Sequence, residues 1–208
     1  ISRHQLLVHP DVPYTSHNSA MCFTADIMET KLHPLIAHAA LFLEKESADG
    51  SDPGLCVAVC DQLTRPEDVI AFGRKAKQTV LAKSDAYGLA AQLDIHLSEH
   101  GGTGGGVIGA LAGVGLRLSG HDGRMRGKIQ IDCPGNMLTA DDLCLHPAID
   151  GVRTLDGKTL SGRQMVELGE KVKPVLLDGK RILLVVPQND PDGRTPWITC
   201  PKHIVKTY

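Results

Sequence analysis

Gly104-Gly105-Gly106-Val107-Ile108-Gly109-Ala110-Leu111-Ala112-Gly113-Val114-Gly115 reads as a glycine loop running directly into a small-residue helix over 107–116. Such a junction turns unpaired backbone N–H groups and the positive end of a helix toward one spot, which suits an anion or another stretch of backbone. Glycine and alanine make the helix intrinsically weak, so it must be held by neighbours that approach its low surface closely. Residues 104–109 match G-x-G-x-x-G, but a dinucleotide site needs a hydrophobic strand immediately before it. The preceding His96-Leu97-Ser98-Glu99-His100-Gly101-Gly102-Thr103 reads as loop, and no Gly-Lys-Ser/Thr follows to make a phosphate loop of the nucleotide-hydrolase type. Gly109, Gly113 and Gly115 are therefore read as packing glycines. Gly104, Gly105, Gly106 and Val107 stand open between close packing and the binding of an anionic ligand or nucleotide.

Toward the N-terminus, 20–27 has the look of a strand after a stretch broken by Pro10, Pro13 and Asn18. Leu35, Ile36, Ala39, Ala40 and Leu43 recur at helical spacing, with Pro34 tolerated in the first turn. The apolar run 55–60 is a strand candidate. Thr64-Arg65-Pro66-Glu67 predicts a helix capped by Thr64, with Val69, Phe72, Ala76 and Val80 on its inner face. Ser84 is expected to cap a short helix over 86–93.

Toward the C-terminus, His121-Asp122-Gly123-Arg124-Met125-Arg126-Gly127-Lys128 is a dense polar cluster. His121 and Asp122 are candidates for acid–base work, and Arg124 and Arg126 for gripping a phosphate or carboxylate. The alternative is an ordinary solvated turn. Residues 127–132 read as a strand, 161–171 as a helix, and Asp156-Gly157, flanked by 152–155 and 158–160, and Asp178-Gly179, flanked by 175–177 and 181–186, as hairpin turns. Thr139 ahead of Asp141-Asp142 marks a helix start. The organisation expected is an α/β (α+β) domain over 1–135 followed by a small β-rich module over 136–208.

Composition bounds the function. A chain of 208 residues can bury a real core, and 42% apolar with 22% charged residues argues against disorder. A net charge of −2 does not favour bulk electrostatic binding of RNA, so any RNA contact would be local. The longest strongly apolar run, 182–186, is far short of the roughly 20 residues that span a bilayer, and the first residues lack a signal-peptide apolar region. A cytoplasmic protein with no membrane partner is expected. Six cysteines without a C-x-x-C pair predict free thiols and no metal site.

Three segments in order resemble a known family: Asp52-Pro53-Gly54 leading into an apolar strand, Pro66-Glu67-Asp68-Val69-Ile70-Ala71-Phe72, and Gly106-Val107-Ile108-Gly109-Ala110-Leu111-Ala112-Gly113-Val114-Gly115. Together, over about 30–130, they are similar to the ferredoxin-like domain of archaeal tRNA-Ile agmatinylcytidine synthetases. The resemblance implies a ferredoxin-like fold and kinship with enzymes that use ATP to attach agmatine to a cytidine of tRNA. Signatures of that family's kinase-like domain, OB-fold and zinc module do not occur in these residues. Its Asp-His motif after the glycine helix is replaced by His121-Asp122-Gly123-Arg124, so its catalytic residues have no counterparts to inherit. Three readings follow: a domain binding a small anion or nucleotide, a structural or homo-oligomeric interaction protein, and an RNA- or amine-modifying enzyme. The cofactor is open.

Overall fold

The computed structural model describes residues 1–13, 17–127, 129–188 and 197–208. It is a mixed α/β protein with six α-helices among those residues. Two compact units divide the chain, the first holding Ile1 and Arg3–Ser119, the second Ser2 and Gly120–Tyr208. Residues 120–135 thus belong to the second unit.

The first unit runs β1 (Ser2–Gln5), β2 (Ser19–Cys22), α1 (Leu32–Glu46), β3 (Gly54–Val57), α2 (Pro66–Ala76), α3 (Lys83–Gln92), β4 (His96–Glu99) and α4 (Gly106–Ser119). The small-residue helix α4 is its centre. Val107, Leu111, Ala112 and Leu116 are buried with Val69, Phe72 and Ala76 of α2 and Ala86 and Ala90 of α3. Its side facing α2 has no room for side chains: a methyl on Gly115 would lie 1.9 Å from the Val69 carbonyl oxygen. A helix apolar on all sides is stable only when enclosed in this way.

Several local expectations are corrected. The N-cap of α2 is Arg65 rather than Thr64, and Pro66 takes the first helical position, where it gives up no hydrogen bond. Helix α3 begins at Lys83, where Ala82 N–H donates to the Asp85 carboxylate at 3.1 Å, so Ser84 is not the cap. Val80 lies beyond α2 and is 45% exposed. Residues 96–99, read as loop, form β4, paired antiparallel with β3 so that Leu55 faces Ser98 and Cys56 faces Leu97. Polar residues at 96, 98 and 99 concealed the strand, because its stability comes from the ladder to β3 and not from its own propensity.

The second unit runs β5 (Arg124–Met125), β6 (Met137–Thr139), α5 (Ala140–Cys144), β7 (Gly151–Thr154), β8 (Thr159–Leu160), β9 (Met165–Glu167), β10 (Val175–Leu177), β11 (Lys180–Pro187), β12 (Trp197–Thr199) and α6 (Lys202–Val205). Its sheet is mostly antiparallel in the order β5-β10-β11-β12-β9-β6, with β7 beside β11 and β8 beside β7. Strand β11 is the spine. Leu183 and Val185 enter one core with Val152 and Val166, while Ile182 and Leu184 enter another with Val175 and Cys200. Burial on both faces explains its unbroken apolar run.

The Asp178-Gly179 hairpin forms as read, with φ of 51° and 70°, the left-handed pair that a two-residue turn requires, whereas at Asp156-Gly157 the hairpin forms with a longer turn, Arg153 facing Thr159 and Leu155 and Lys158 lying outside the strands. Thr139 caps α5, its Oγ1 accepting the Asp142 N–H at 3.1 Å. The helix expected over 161–171 is instead strand β9, because fully buried Val166 pairs with Leu138 on one side and Trp197 on the other. Of the strand expected over 127–132 there is an isolated bridge from Ile129 to Val172, and Lys128 lies outside the described residues.

Arg181 ties the start of β11 to the turn before β7. Its guanidinium donates to both Asp150 oxygens, at 2.8 and 2.5 Å, and to the Pro147 carbonyl at 2.5 Å. This pairing holds the Asp150 carboxyl below its ordinary value of 3.8. A carboxylate whose pKa is depressed by folding stabilises the native state above its unfolded pKa and loses that contribution as pH falls through the folded value. Urea unfolding of the wild type and Asp150→Asn is therefore expected to differ at pH 7, with the gap closing below the ordinary aspartate range.

Candidate functional site

Strand β4 places two polar groups on opposite faces. On one, it leads into the glycine loop and α4, where β3 begins so close that a methyl on Gly106 would lie 1.8 Å from the Asp52 carbonyl oxygen. The Asp52 carboxylate accepts the Gly105 N–H at 3.2 Å and the Thr103 hydroxyl at 2.5 Å. The anion at this helix start is thus the chain's own side chain. Beside it, Lys83 donates to Glu99 at 3.2 and 3.4 Å and to the Thr103 carbonyl at 2.9 Å. The Tyr87 hydroxyl donates to Glu99 at 2.8 Å, and this bond, followed by those from Lys83, holds the Glu99 carboxyl below its ordinary value.

On the other face lie His96 and Ser98, with His100 just past the strand. Ser98 Oγ is 3.1 Å from His96 Nε2 and 2.7 Å from His100 Nε2. His100 Nδ1 is 3.2 Å from Glu44 Oε1 of α1. The sequence signal was present in the i, i+2, i+4 spacing of His-x-Ser-x-His, but it has meaning only on a strand, where that spacing shares one face.

No family model, curated protein or solved structure matches this chain.

The glycine candidates Gly104, Gly105, Gly106 and Val107 belong to the first unit, whereas His121, Asp122, Arg124 and Arg126 belong to the second. The carboxylate facing His121 Nδ1 is that of Asp178, at 3.5 Å, which also accepts from Arg153 at 2.7 Å. Arg153 first, and His121 after it, hold the Asp178 carboxyl below its ordinary value. Arg124 lies in β5 and Arg126 just after it.

The second unit also holds a cavity of about 330 Å³ lined by Glu170, Lys171, Val186, Ile198, Cys200 and Lys202, among others. Its walls are mostly apolar and its charged rim carries two lysines. Lys202 is held below its ordinary value of 10.5 by the ammonium groups of Lys171 and then Lys206. Thr199, on the same wall, uses its Oγ1 to accept the Gly169 N–H at 2.9 Å, which shapes the cavity floor. Sequence reading passed over these lysines because 30 residues of chain separate Lys171 from Lys202.

All six cysteines are free thiols, and burial pushes that of Cys56 up to about 12. Among the described residues no group of three or more His, Cys, Asp or Glu could hold a metal ion. No helix of the described residues is long and apolar enough to cross a membrane.

Proposed function

We propose that this chain binds a small phosphate-bearing ligand, a nucleotide or phosphorylated metabolite, in the cavity of its second unit. The first unit is a relative of the ferredoxin-like part of tRNA-modifying enzymes. The observation that carries the ligand reading is the placing of Lys171 and Lys202 on the rim of one cavity, with Lys206 near enough to Lys202 to add its charge. Like charges held together raise the energy of the unliganded protein, and an anion placed among them turns that repulsion into attraction. Val186, Ile198 and Cys200 offer the apolar wall that a base or sugar needs. Kinship with the tRNA-modifying family is supported by the order of the three resembling segments and by α4 packing on the antiparallel ribbon β3–β4.

Calorimetric titration with ATP, a nucleoside monophosphate and inorganic phosphate tests the reading. Lys171→Ala and Lys202→Ala are each expected to weaken binding about tenfold, the equivalent of roughly 1.4 kcal/mol, and added salt should weaken the wild type. Undetectable binding of every probe, or an unchanged affinity in the double variant, would remove the assignment.

A second reading, self-association, is favoured by one observation. Phe23 and Met28, in the segment between β2 and α1, are 61 and 67% exposed, and Leu41 and Phe42 of α1 are 65 and 58% exposed. Large apolar side chains exposed in this number within one stretch of chain favour an interaction surface. Sedimentation of the wild type across a concentration series decides it, with a strictly monomeric chain excluding the homo-oligomer.

A further inference from the structure

We propose that Ser98, His100 and Glu44 form a nucleophilic relay in the first unit that acts on small carboxylic esters or thioesters. The proposal is independent of the ligand reading of the second unit, since it uses none of those residues.

The geometry has the order that serine nucleophiles require. Ser98 Oγ is 2.7 Å from one ring nitrogen of His100, and the other ring nitrogen is 3.2 Å from the Glu44 carboxylate. Glu44 accepts only, so His100 Nδ1 carries a hydrogen; in the neutral imidazole Nε2 then accepts the Ser98 hydroxyl hydrogen. Ser98 Oγ is left to accept from His96 Nε2, at 3.1 Å, and the three contacts run in one direction from His96 to Glu44. Burial first, then His100 and His33, holds His96 below its ordinary value, and its neutral tautomer with hydrogen on Nε2 makes this donation.

Exposure separates the roles. The His100 side chain is 6% exposed and that of Glu44 57%, so the base is sheltered while its orienting carboxylate reaches solvent. Leu55 and Val57, the cross-strand partners of Ser98 and His96, share the same face of the ribbon. That apolar floor suits a short acyl chain. The apolar core lies on the opposite face of the ribbon with Cys56 and Leu97, apart from this polar line of His96, Ser98, His100 and Glu44.

In the reaction, Ser98 Oγ bonds to the acyl carbon as its proton passes to His100 Nε2. The bond from that carbon to the alcohol or thiol breaks, and the leaving group takes the proton from His100. Water then adds to the acyl carbon, giving its proton to His100, and Ser98 Oγ departs and is reprotonated. The products are one acid and one alcohol or thiol. Glu44 acts through His100, as a positioning residue.

The test is labelling of the full chain with diisopropyl fluorophosphate, in which Ser98 Oγ displaces fluoride from phosphorus, followed by mass mapping. Ser98 is expected to be the labelled serine in the folded protein and to be unlabelled after urea unfolding, a comparison that needs no variant. His100→Gln should slow labelling at least about 100-fold, as loss of a general base does. Glu44→Gln should slow it about tenfold, its half-exposed carboxylate being screened, with the melting temperature unchanged and the rate partly restored by Glu44→Asp. Hydrolysis of p-nitrophenyl acetate should follow the same order. Absence of label at Ser98 in the folded wild type, or an equal rate in folded His100→Gln, would overturn the proposal.

Discussion

Gly106→Ala is expected to destabilise the first unit by about 3 kcal/mol or more, in the range of the severe overpacking substitutions. The added methyl would lie 1.8 Å from the Asp52 carbonyl oxygen and 2.8 Å from the Gly54 nitrogen. Both obstacles are backbone, so no side-chain rotation relieves them. Strand β3 or the start of α4 must shift, and with it the Asp52 carboxylate that accepts the Gly105 N–H. Alanine's better helix propensity recovers at most about 1 kcal/mol. The contrast is Gly105→Ala, whose methyl would meet only the Asp52 and Thr103 side-chain oxygens at 3.3 Å and which should cost about 1 kcal/mol or less. Urea unfolding followed by far-ultraviolet circular dichroism measures both. Equal stabilities for the two variants would show that the β3–α4 approach is looser than described, whereas a large gap identifies Gly106 as a packing glycine.

Leu183→Ala is expected to cost the second unit about 3 kcal/mol, within the range of buried leucine truncations. Leu183 is 1% exposed in the middle of β11, which pairs with β7 on one edge and with β10 and β12 on the other. Its core neighbours sit on several paired strands, and a sheet tied by ladders on both edges cannot collapse to fill the cavity. Leu183→Met, which keeps the volume, should cost less than about 1.5 kcal/mol. The protein's one tryptophan, Trp197, lies on β12 and packs against the same core, so its fluorescence reports this unit. A loss under 1 kcal/mol for the alanine variant would mean that β11 is not the spine of the sheet.

How much could be read from residues alone differed by element for physical reasons. Helix α4, the helix over Leu32–Glu46 and the Asp178-Gly179 hairpin were legible, and the place of the Asp156-Gly157 hairpin though not its register, because helical periodicity and turn chemistry are local. Strands β4 and β9 were not. His96–Glu99 offers one apolar residue, and Met165–Glu167 sits in a stretch with helical features, so each is a strand by virtue of its neighbours. The site suffered the same fate twice over. Ser98 and His100 were passed over once their segment read as loop, and Lys171 and Lys202 converge only when β9 and β12 pair in parallel.

By itself, the sequence determined that the chain would be a mixed α/β protein, that a glycine-rich stretch would enter a helix needing close neighbours, and that Asp178-Gly179 would turn a hairpin into the apolar run 182–186. These follow from composition and short-range pattern, which act within a turn or a strand. Only the tertiary structure decided that the helix start would be met by Asp52 from more than fifty residues away, that Glu44 of α1 would stand behind His100, and which face of β4 each polar residue would take. Those outcomes depend on long-range strand register and on backbone contact distances, and a shift of one residue in register would send every side chain of β4 to the other face.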